Sequence, residues 1–402
     1  MMQQHMPSMI NNVAVVGGTH GNEYTGVFCV KALERQLQQQ DIQNRIRYPF
    51  HLSTVIGNPV AHIQNKRFVD TDLNRQFSYD ALQKAKSISR STSQNIMVEQ
   101  QRALELNELL GPKQFHDDVD DDVPPKMDLI IDLHTTTTNM GVTIIVGQDD
   151  VLTTQCAAYV LQRCPFTTRI LIHTHANQKE RPHLSSIAKH AFTIEVGAVP
   201  QGVVRHDKVE EMQTALRLTL EFLQRWHDGQ QEQLYNELIE HFDSGNVPCY
   251  RSAPAIREGE MSAKLQWPSS KDNPNFPLWI VHKSVQDRDF TQIQTGDPLF
   301  VDLDGTVIPY DGAYGSPIIL MFINEGGYYY GSSGTGISVA VQDEFDLETG
   351  SLLSTNNRKM SMTRTNSNDN DNNNNDDIKK NGQQQQQPVE TAATTTTTTS
   401  EL

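Results

Sequence analysis

Short apolar runs alternate with helical patterns over roughly the first 225 residues. Residues 13–16, 52–57, 127–133 and 192–196 are predicted as buried strands, because each run is brief, apolar and bounded by polar residues or glycine. Residues 209–223 repeat apolar positions at helical spacing and predict a long amphipathic helix. Strands that alternate with helices predict a largely parallel or mixed sheet that is flanked by helices on both faces.

The chain changes character after Trp226. Prolines and glycines there separate short alternating runs, such as residues 298–303 and 318–323, which is typical of a β-rich domain. From about residue 355 the sequence is dominated by Asn, Asp, Gln and Thr, a composition that cannot build a core. We therefore predict four segments, which are a flexible N-terminus (1–11), an α/β domain (12–228), a smaller β-rich C-terminal domain (229–345) and a disordered tail (346–402).

Length, charge and apolar content exclude several classes of protein. The 402 residues, 37% of them hydrophobic, suffice for one large α/β domain and a smaller partner. A formal net charge of −16 argues against nucleic-acid binding, which needs a basic patch. No stretch approaches the roughly 20 apolar residues of a membrane span, and the first residues lack the features of a signal peptide. We expect a cytoplasmic protein with free cysteines and without a membrane or nucleic-acid partner.

The segment 17–24 reads GGTHGNEY and joins a predicted strand to a predicted helix. His20 and Glu23 are three residues apart, so both can converge on one ion, and their donor atoms suit Zn²⁺. His134 is the best third ligand because it ends an apolar strand, where ligands of open α/β sheets gather. Asp132 points to the same side and is a candidate partner for this site. The alternative is that His20 and Glu23 merely cap a helix and His134 is an ordinary polar residue.

Further candidates are a buried carboxylate and a pair of arginines. Glu195 lies within an apolar strand, which is costly unless the carboxylate is functional or paired. A general base facing a metal-bound water and a buried ion pair with an arginine both explain it. Asn74 and Arg75 combine an amide with a planar guanidinium, a pairing that suits carboxylate recognition, and Arg67 lies just upstream. Ordinary surface charge is the alternative for each arginine.

Several motifs occur in a fixed order between about residues 12 and 331. They are GGTHGNEYTGV, DTDLNRQF, LNELLGPK, DLHTTTTNMG, IEVG, GDPLF and INEGGYYY. Together they resemble the aspartoacylase/succinylglutamate desuccinylase family, in particular its eukaryotic aspartoacylase and aminoacylase-3 branch. The resemblance implies a zinc carboxypeptidase-like catalytic domain, an added β-rich C-terminal domain and one zinc ion per subunit.

The same resemblance implies roles for individual residues. The implied zinc ligands are His20, Glu23 and His134. Glu195 matches the general acid/base, and Arg67 matches the residue that polarises the scissile carbonyl. The implied clamp on the substrate α-carboxylate consists of Asn74, Arg75 and Tyr328.

One departure from the family concerns the substrate side chain. Ser185 stands where aspartoacylases have the arginine that grips the side-chain carboxylate of N-acetylaspartate, and Arg181 stands in place of a tyrosine. Arg181 is a candidate substitute cation. The predicted function is zinc-dependent deacylation of a small N-acyl-L-amino acid to a carboxylate, with acetate expected, and a free amino acid. An aminoacylase-3-like enzyme for aromatic or mercapturate substrates, a zinc carboxypeptidase and a non-catalytic binding protein remain alternatives, and a homo-oligomer stays open.

Overall fold

The apolar runs of the sequence form strands of a large mixed sheet in the computed structural model. The structure describes residues 9–39, 47–91, 95–114, 123–174, 180–256, 262–330 and 334–354. Strands β1 to β7 span Asn12–Gly17, His51–Ile56, Leu129–Thr135, Gly141–Gly147, Thr168–His173, His190–Gly197 and Asn246–Ser252. Strands β8 to β14 span Lys264–Gln266, Trp279–Val281, Gln292–Ile293, Pro298–Asp302, Val307–Pro309, Ile318–Met321 and Thr335–Asp346. Helices α1 to α7 span Tyr24–Gln38, Pro59–Ile63, Tyr79–Ser89, Val98–Leu110, Val151–Arg163, His206–His227 and Gln231–His241.

Eleven of the strands in the described residues belong to one sheet. Its order is β10-β13-β14-β7-β5-β4-β6-β3-β1-β2, with β8 also paired to β14. Strands β2, β1, β3 and β6 are mutually parallel, whereas β4 runs antiparallel to β6. The carboxyl ends of the parallel strands therefore lie at the same edge of the sheet as the start of β4. The predicted fold class, a mixed sheet flanked by helices with a β-rich C-terminal part, is confirmed.

Alternation along β1 and β3 assigns side chains to the two faces of this sheet. On one face Val15 and Leu133 belong to the core that α1, α5 and α6 cover. On the other face Val16 and Ile130 belong to a smaller core that α3 and α4 cover. Since strand side chains alternate with a period of two, Asp132 and His134 continue the second face beyond Ile130. This edge of the second face is where the candidate site lies.

The C-terminal strands extend the same sheet and build a second one. Strands β7, β13 and β14 continue the main sheet, while β12, β11 and β9 form a separate three-stranded sheet. A second apolar core lies among these strands, with Trp267 and Phe300 among its largest members. The predicted domain boundary at 228/229 lies between α6 and α7, and strands from both sides of it share the main sheet. The four-segment division stays a prediction.

The predicted tail begins at residue 346, yet the next residues pack against the fold. Leu347 and Leu352 are buried, and Leu352 bridges to Phe345 at the end of β14. Residues 355–402, and residues 1–8 of the predicted flexible N-terminus, lie outside the described residues. Each of the four cysteines is a free thiol, as expected. Within the described ranges, no helix combines the length and apolar character that crossing a membrane requires.

Candidate active site

His20, Glu23 and His134 meet where β1 and β3 end. Their potential ligand atoms all lie within 4.8 Å of one another, and the three side chains are buried. The Nδ1 atoms of His20 and His134 lie 2.6 and 3.0 Å from the two carboxylate oxygens of Glu23. Glu23 occupies the N-cap position of α1, but its side chain makes no capping hydrogen bond. The helix-cap interpretation is therefore wrong for Glu23, whose carboxylate faces both imidazoles instead.

Close backbone packing gives the loop after β1 its shape. The Nδ1 atom of His62, in α2, lies 3.0 Å from the carbonyl oxygen of Gly21. A Cβ atom at Gly21 would lie 2.3 Å from the backbone of Ala61, so only glycine fits at this contact. The backbone N–H of Gly21 also donates to the carbonyl of Arg67, at 3.0 Å. The loop that carries His20 and Glu23, which is the candidate metal-binding loop, is thus joined directly to the segment that begins at Arg67.

Two aspartates hold the outer nitrogens of the histidines. Asp132 lies 2.8 Å from Nε2 of His134, and Asp72 lies 3.1 Å from Nε2 of His20. A carboxylate at Nε2 fixes the proton there and leaves Nδ1 as the ligand atom, which is the usual arrangement around metal-binding histidines. The prediction that Asp132 supports this site agrees with the geometry. Asp72 was not predicted.

Electrostatics around the group favour a cation. Burial alone would raise the pKa of Glu23, but His20 and His134 lower it well below the usual range of a glutamate. Burial would lower the pKa of His134, whereas Asp132 and Glu23 raise it well above its usual value. Two imidazoles thus lie beside three carboxylates, those of Glu23, Asp72 and Asp132. This donor set fits a divalent metal ion, which prefers nitrogen and oxygen ligands of this kind.

Glu195 lies beside His134 on the neighbouring strand. The two residues are directly paired in the parallel register of β3 and β6, so their side chains share the second face of the sheet. Burial raises the pKa of Glu195 to about 8, with His134 opposing the rise and Glu23 and Glu325 adding to it. A carboxyl group that titrates near neutral pH is suited to general acid/base work. The alternative of a buried ion pair with an arginine finds no contact among the described residues.

Arg67 also contacts this cluster. Its guanidinium lies 3.2 Å from Glu23 and 3.8 Å from Asp72, and its side chain is 11% exposed. Burial lowers the pKa of Arg67, but the surrounding carboxylates, led by Glu23, raise it above the usual value. A Cβ atom at Gly327 would lie 3.1 Å from the guanidinium carbon, so the C-terminal part of the chain closes over Arg67 with a glycine.

The residues of the predicted carboxylate clamp lie on two 3₁₀ turns, Leu73–Arg75 and Gly326–Tyr329. The side-chain oxygen of Asn74 accepts from the backbone N–H of Leu184 at 2.8 Å, which leaves its NH₂ group to donate elsewhere. Arg75 is exposed, donates to the carbonyl of Asn74 at 2.9 Å and lies 3.4 Å from Nδ1 of His183. Tyr328, in the 3₁₀ turn Gly326–Tyr329, forms a 2.5 Å hydrogen bond with Ser338. Arg75 is among the charges that shift the pKa of Tyr328, so these two groups are neighbours.

Glu325 ties this C-terminal turn to the end of β3. Its carboxylate accepts from the hydroxyl of Thr136, from the backbone N–H of Thr137 at 2.9 Å and from that of Gly327 at 3.0 Å. Thr137 in turn accepts from the backbone N–H of Gly326 at 2.7 Å. Tyr328 is thereby held over the strand that carries His134. Sequence reasoning noted the INEGGYYY motif but assigned no role to its glutamate.

Ser185 and the guanidinium of Arg181 lie in different parts of the structure. Ser185 is buried in the 3₁₀ turn Leu184–Ile187, next to the residue that bonds Asn74. The guanidinium of Arg181 packs on Gly147, since a Cβ atom there would lie 3.2 Å from its Nη1. Gly147 ends β4, whereas Thr143 of β4 pairs with Glu195, so the two positions are about 14 Å apart along the strand. Arg181 therefore lies at the opposite edge of the sheet from the candidate metal ligands.

The fold and the site define a mixed-sheet α/β protein with a buried His–Glu–His group and a further buried carboxylate, that of Glu195, at its strand ends. Residues 9–223 match the family model of the succinylglutamate desuccinylase/aspartoacylase catalytic domain, and residues 261–335 match that of the AstE/AspA barrel-sandwich hybrid domain. The chain belongs to the succinylglutamate desuccinylase/aspartoacylase family, as the motifs predicted.

Named relatives and a solved structure agree with this assignment. The chain is 34% identical to an N-acyl-aromatic-L-amino acid amidohydrolase (carboxylate-forming) A of Danio rerio over 321 residues, covering 80% of this chain and 86% of that protein. It is 31% identical to the aspartoacylase of Rattus norvegicus over 322 residues, covering 80% and 89%. The crystal structure of murine aminoacylase 3 superposes with a TM-score of 0.65 at 25% identity, covering 86% of this chain and 99% of that one.

Proposed function

We propose that this protein is a zinc-dependent amidohydrolase that deacylates N-acyl-L-amino acids. The observation that carries the proposal is the pairing of Glu195 with His134 at one edge of the sheet, beside Glu23 and Arg67. Metal-ligand donors, an acid/base group and a buried cation are the parts that metal-assisted amide hydrolysis needs. Relatives named as N-acyl amino acid amidohydrolase and aspartoacylase support the same reaction class.

The proposed mechanism assigns one task to each residue of the cluster. His20, Glu23 and His134 would hold the ion, and bound zinc supplies acidity to water and polarises a carbonyl. Glu195 takes a proton from the attacking water as the water oxygen bonds to the acyl carbon. Arg67 donates hydrogen bonds to the negative charge that develops on the carbonyl oxygen. Glu195 then returns the proton to the amide nitrogen as the C–N bond breaks, which gives a carboxylate and a free amine.

Recognition of the amino-acid part is proposed for the clamp residues. The NH₂ group of Asn74 and the guanidinium of Arg75 donate to the substrate α-carboxylate, since a planar fork matches a carboxylate in geometry and charge. The hydroxyl of Tyr328 adds a donor from the C-terminal part of the chain. An anchored α-carboxylate favours N-acyl amino acids over internal peptide bonds, which distinguishes this function from that of an endopeptidase.

For the substrate side chain, we favour uncharged or aromatic groups over a carboxylate. Ser185 offers a neutral hydroxyl where a carboxylate would need a cation, and Arg181 packs on Gly147 at the other edge of the sheet. The relative from Danio rerio that is named for aromatic substrates agrees with this choice. N-acetylaspartate is the competing substrate, because the aspartoacylase relative shares nearly the same identity.

The test is hydrolysis of a matched panel by the purified, zinc-loaded protein. The panel contains N-acetylaspartate, N-acetylglutamate, N-acetyltyrosine and an N-acetylated cysteine conjugate. Fastest turnover of the last two is expected, and preference for N-acetylaspartate would overturn the side-chain proposal alone. Absence of turnover on all four, with metal bound, would overturn the enzymatic function.

The catalytic assignment has its own experiment. Glu195→Gln should abolish turnover while the bound zinc content stays unchanged, because the amide keeps the shape but cannot take a proton. Glu34→Gln, an exposed position on α1, is the matched control and should behave like the wild type. Retained activity in Glu195→Gln would refute the assignment of Glu195 as the general acid/base. A cytoplasmic location, a homo-oligomeric state and the lack of nucleic-acid or membrane partners stay predictions.

A further inference from the structure

A buried carboxylate beneath the segment 67–75 takes no part in the mechanism above. Glu99 lies in the first turn of α4 and has no exposed surface (0%). It accepts from the backbone N–H groups of Val69 at 2.7 Å, Asp70 at 3.0 Å and Thr71 at 3.2 Å. A fourth hydrogen bond comes from the side-chain amide of Asn58, at 3.0 Å. All four donors are neutral groups.

This arrangement fixes one conformation of the backbone. A buried charge is costly unless it is hydrogen-bonded, so the fold favours the conformation in which the donors converge on Glu99. Three consecutive N–H groups point at one carboxylate only when the segment 69–71 turns around it. A glutamine at this position would place its NH₂ group, which is a hydrogen-bond donor, next to at least one of the four groups that now donate to Glu99. The conformation of the segment 69–71 therefore depends on the charge of the Glu99 side chain, and not only on its size.

A second bond joins the same two elements in the reverse direction. The carboxylate of Asp70, which is exposed, accepts from the backbone N–H of Val98 at 2.8 Å. Asn58 uses its amide for Glu99 and its oxygen to cap α2 through the N–H of Ala61, at 3.2 Å. Helix α2 packs on the metal-binding loop at Gly21. Glu99 is thus bonded both to the segment 69–71 and to the helix that supports this loop.

The anchored backbone is flanked by proposed functional groups. Arg67 precedes Val69 by two residues, and Asp72, which bonds His20, follows Thr71 directly. Asn74 and Arg75 come next in the 3₁₀ turn Leu73–Arg75. Displacement of this backbone would move the oxyanion donor, the partner of His20 and the clamp together.

We propose that Glu99 is a positioning residue whose buried charge holds the segment 69–71 so that Arg67, Asn74 and Arg75 face the substrate. The kinetic part of this inference rests on the proposed function, whereas the conformational part does not. The hydrogen bonds that the structure describes for the carboxylate of Glu99 reach none of the proposed metal ligands or clamp residues.

The experiment compares Glu99→Gln with Glu105→Gln, a partly exposed carboxylate on the same helix. In the zinc-loaded protein, Glu99→Gln should lower kcat/KM about 10- to 100-fold, since a misplacement of about 1 Å can cost a hundredfold. Both constants should change, kcat through Arg67 and KM through the clamp, whereas Glu105→Gln should match the wild type. In the metal-free protein, hydrogen exchange at residues 69–71 should accelerate at least tenfold in Glu99→Gln, with exchange in α5 unchanged.

Two results would overturn the inference. One is a Glu99→Gln protein with a lower Tm but wild-type kcat and KM per folded molecule, which would make Glu99 a merely structural residue. The other is unchanged exchange at residues 69–71. If Glu99→Gln does not fold, Asp70→Ala removes the reciprocal hydrogen bond at an exposed position. This variant should show faster exchange at residues 69–71 and a several-fold loss of kcat/KM. Wild-type exchange and kinetics in Asp70→Ala would also overturn the inference. A wild-type enzyme inactive on the whole panel would refute the proposed function, while the exchange experiment would still decide the conformational part.

Discussion

Replacing Asp132 with asparagine is expected to weaken metal binding about tenfold without removing a proposed ligand. Asp132 is 1% exposed, and its two oxygens have different partners. One lies 2.8 Å from Nε2 of His134, and the other accepts from the hydroxyl of Thr19 at 2.7 Å. Asparagine keeps the shape: its oxygen can accept from His134, and its NH₂ group can donate to Thr19. The change therefore removes a charge while both hydrogen bonds are preserved.

The magnitude follows from the loss of that charge. A hydrogen bond to a charged group contributes about 1.5–3 kcal/mol, against about 0.5–1.5 kcal/mol for a neutral one. The difference of about 1–1.5 kcal/mol corresponds to roughly a tenfold change in an equilibrium constant. It lies at the lower end of the 10- to 100-fold range that is typical of partners of metal-binding histidines.

The assay is a competition titration of zinc between the protein and a chromogenic chelator. Asp128→Asn is the matched control, because Asp128 precedes the same strand and its carboxylate accepts only from the backbone N–H groups of Asn11 and Asn12 among the contacts that the structure describes. The control should bind zinc like the wild type. Equal zinc affinity in Asp132→Asn and the wild type would refute the reasoning, since the charge of Asp132 would then not strengthen His134 as a ligand.

Three further predictions concern the clamp and the C-terminal part of the chain. Arg75→Ala should raise KM at least tenfold and change kcat less, because it removes binding shared by substrate and transition state; an unchanged KM in steady-state kinetics would exclude Arg75 from the clamp. Tyr328→Phe should raise KM several-fold. Ser338→Ala is the control, because it removes the 2.5 Å hydrogen bond of Tyr328 but keeps the tyrosine hydroxyl. Equal effects of the two substitutions on KM would mean that the hydroxyl of Tyr328 holds the turn in place and does not bind the substrate. Burial raises the pKa of Asp289 to about 6, so its stabilising contribution is complete below about pH 4 and is lost as pH rises through 6. In urea unfolding, the free energy of unfolding of the wild type should decline by about 3 kcal/mol across this pH range, and that of Asp289→Asn should not. Parallel pH profiles of the two proteins would contradict this prediction.

The strands that the sequence predicted are those with a clear boundary signal. Residues 13–16 and 192–196 lie within β1 and β6, and residues 209–223 lie within α6. Helix α5 was not predicted because nine of its thirteen residues are buried, so it shows no polar face from which a helical period can be read. Strand β4 is buried at six of its seven positions and has no alternation either. Full burial removes the periodic signal but does not by itself hide an element, since β3 is buried at all seven positions and was predicted from its apolar run.

Some residues of the candidate site were indicated by local sequence pattern, whereas others are joined to it only by contacts between distant parts of the chain. His20 and Glu23 are three residues apart, and His134 ends an apolar strand, so local pattern alone indicated them. Asp72 bonds His20 across 52 positions, and Glu325 bonds Thr137 across 188, distances over which a single sequence carries no signal. Asn74 and Arg75 were paired as a carboxylate-binding candidate from their own chemistry, whereas Tyr328 was added to them only by the family resemblance.

The proposed preference for uncharged substrate side chains rests on charge more than on shape. The site region already holds the carboxylates of Glu23, Asp72, Asp132, Glu195 and Glu325. A second carboxylate on the substrate would add negative charge to this region and would be desolvated near a neutral serine, Ser185. Losing a charge-assisted hydrogen bond of about 1.5–3 kcal/mol disfavours such a substrate by roughly 10- to 150-fold. An aromatic or aliphatic side chain carries no such penalty, because apolar surface gains from leaving water. This difference is why we propose uncharged side chains for the substrate, with the proposed metal ligands and the proposed general acid/base unchanged.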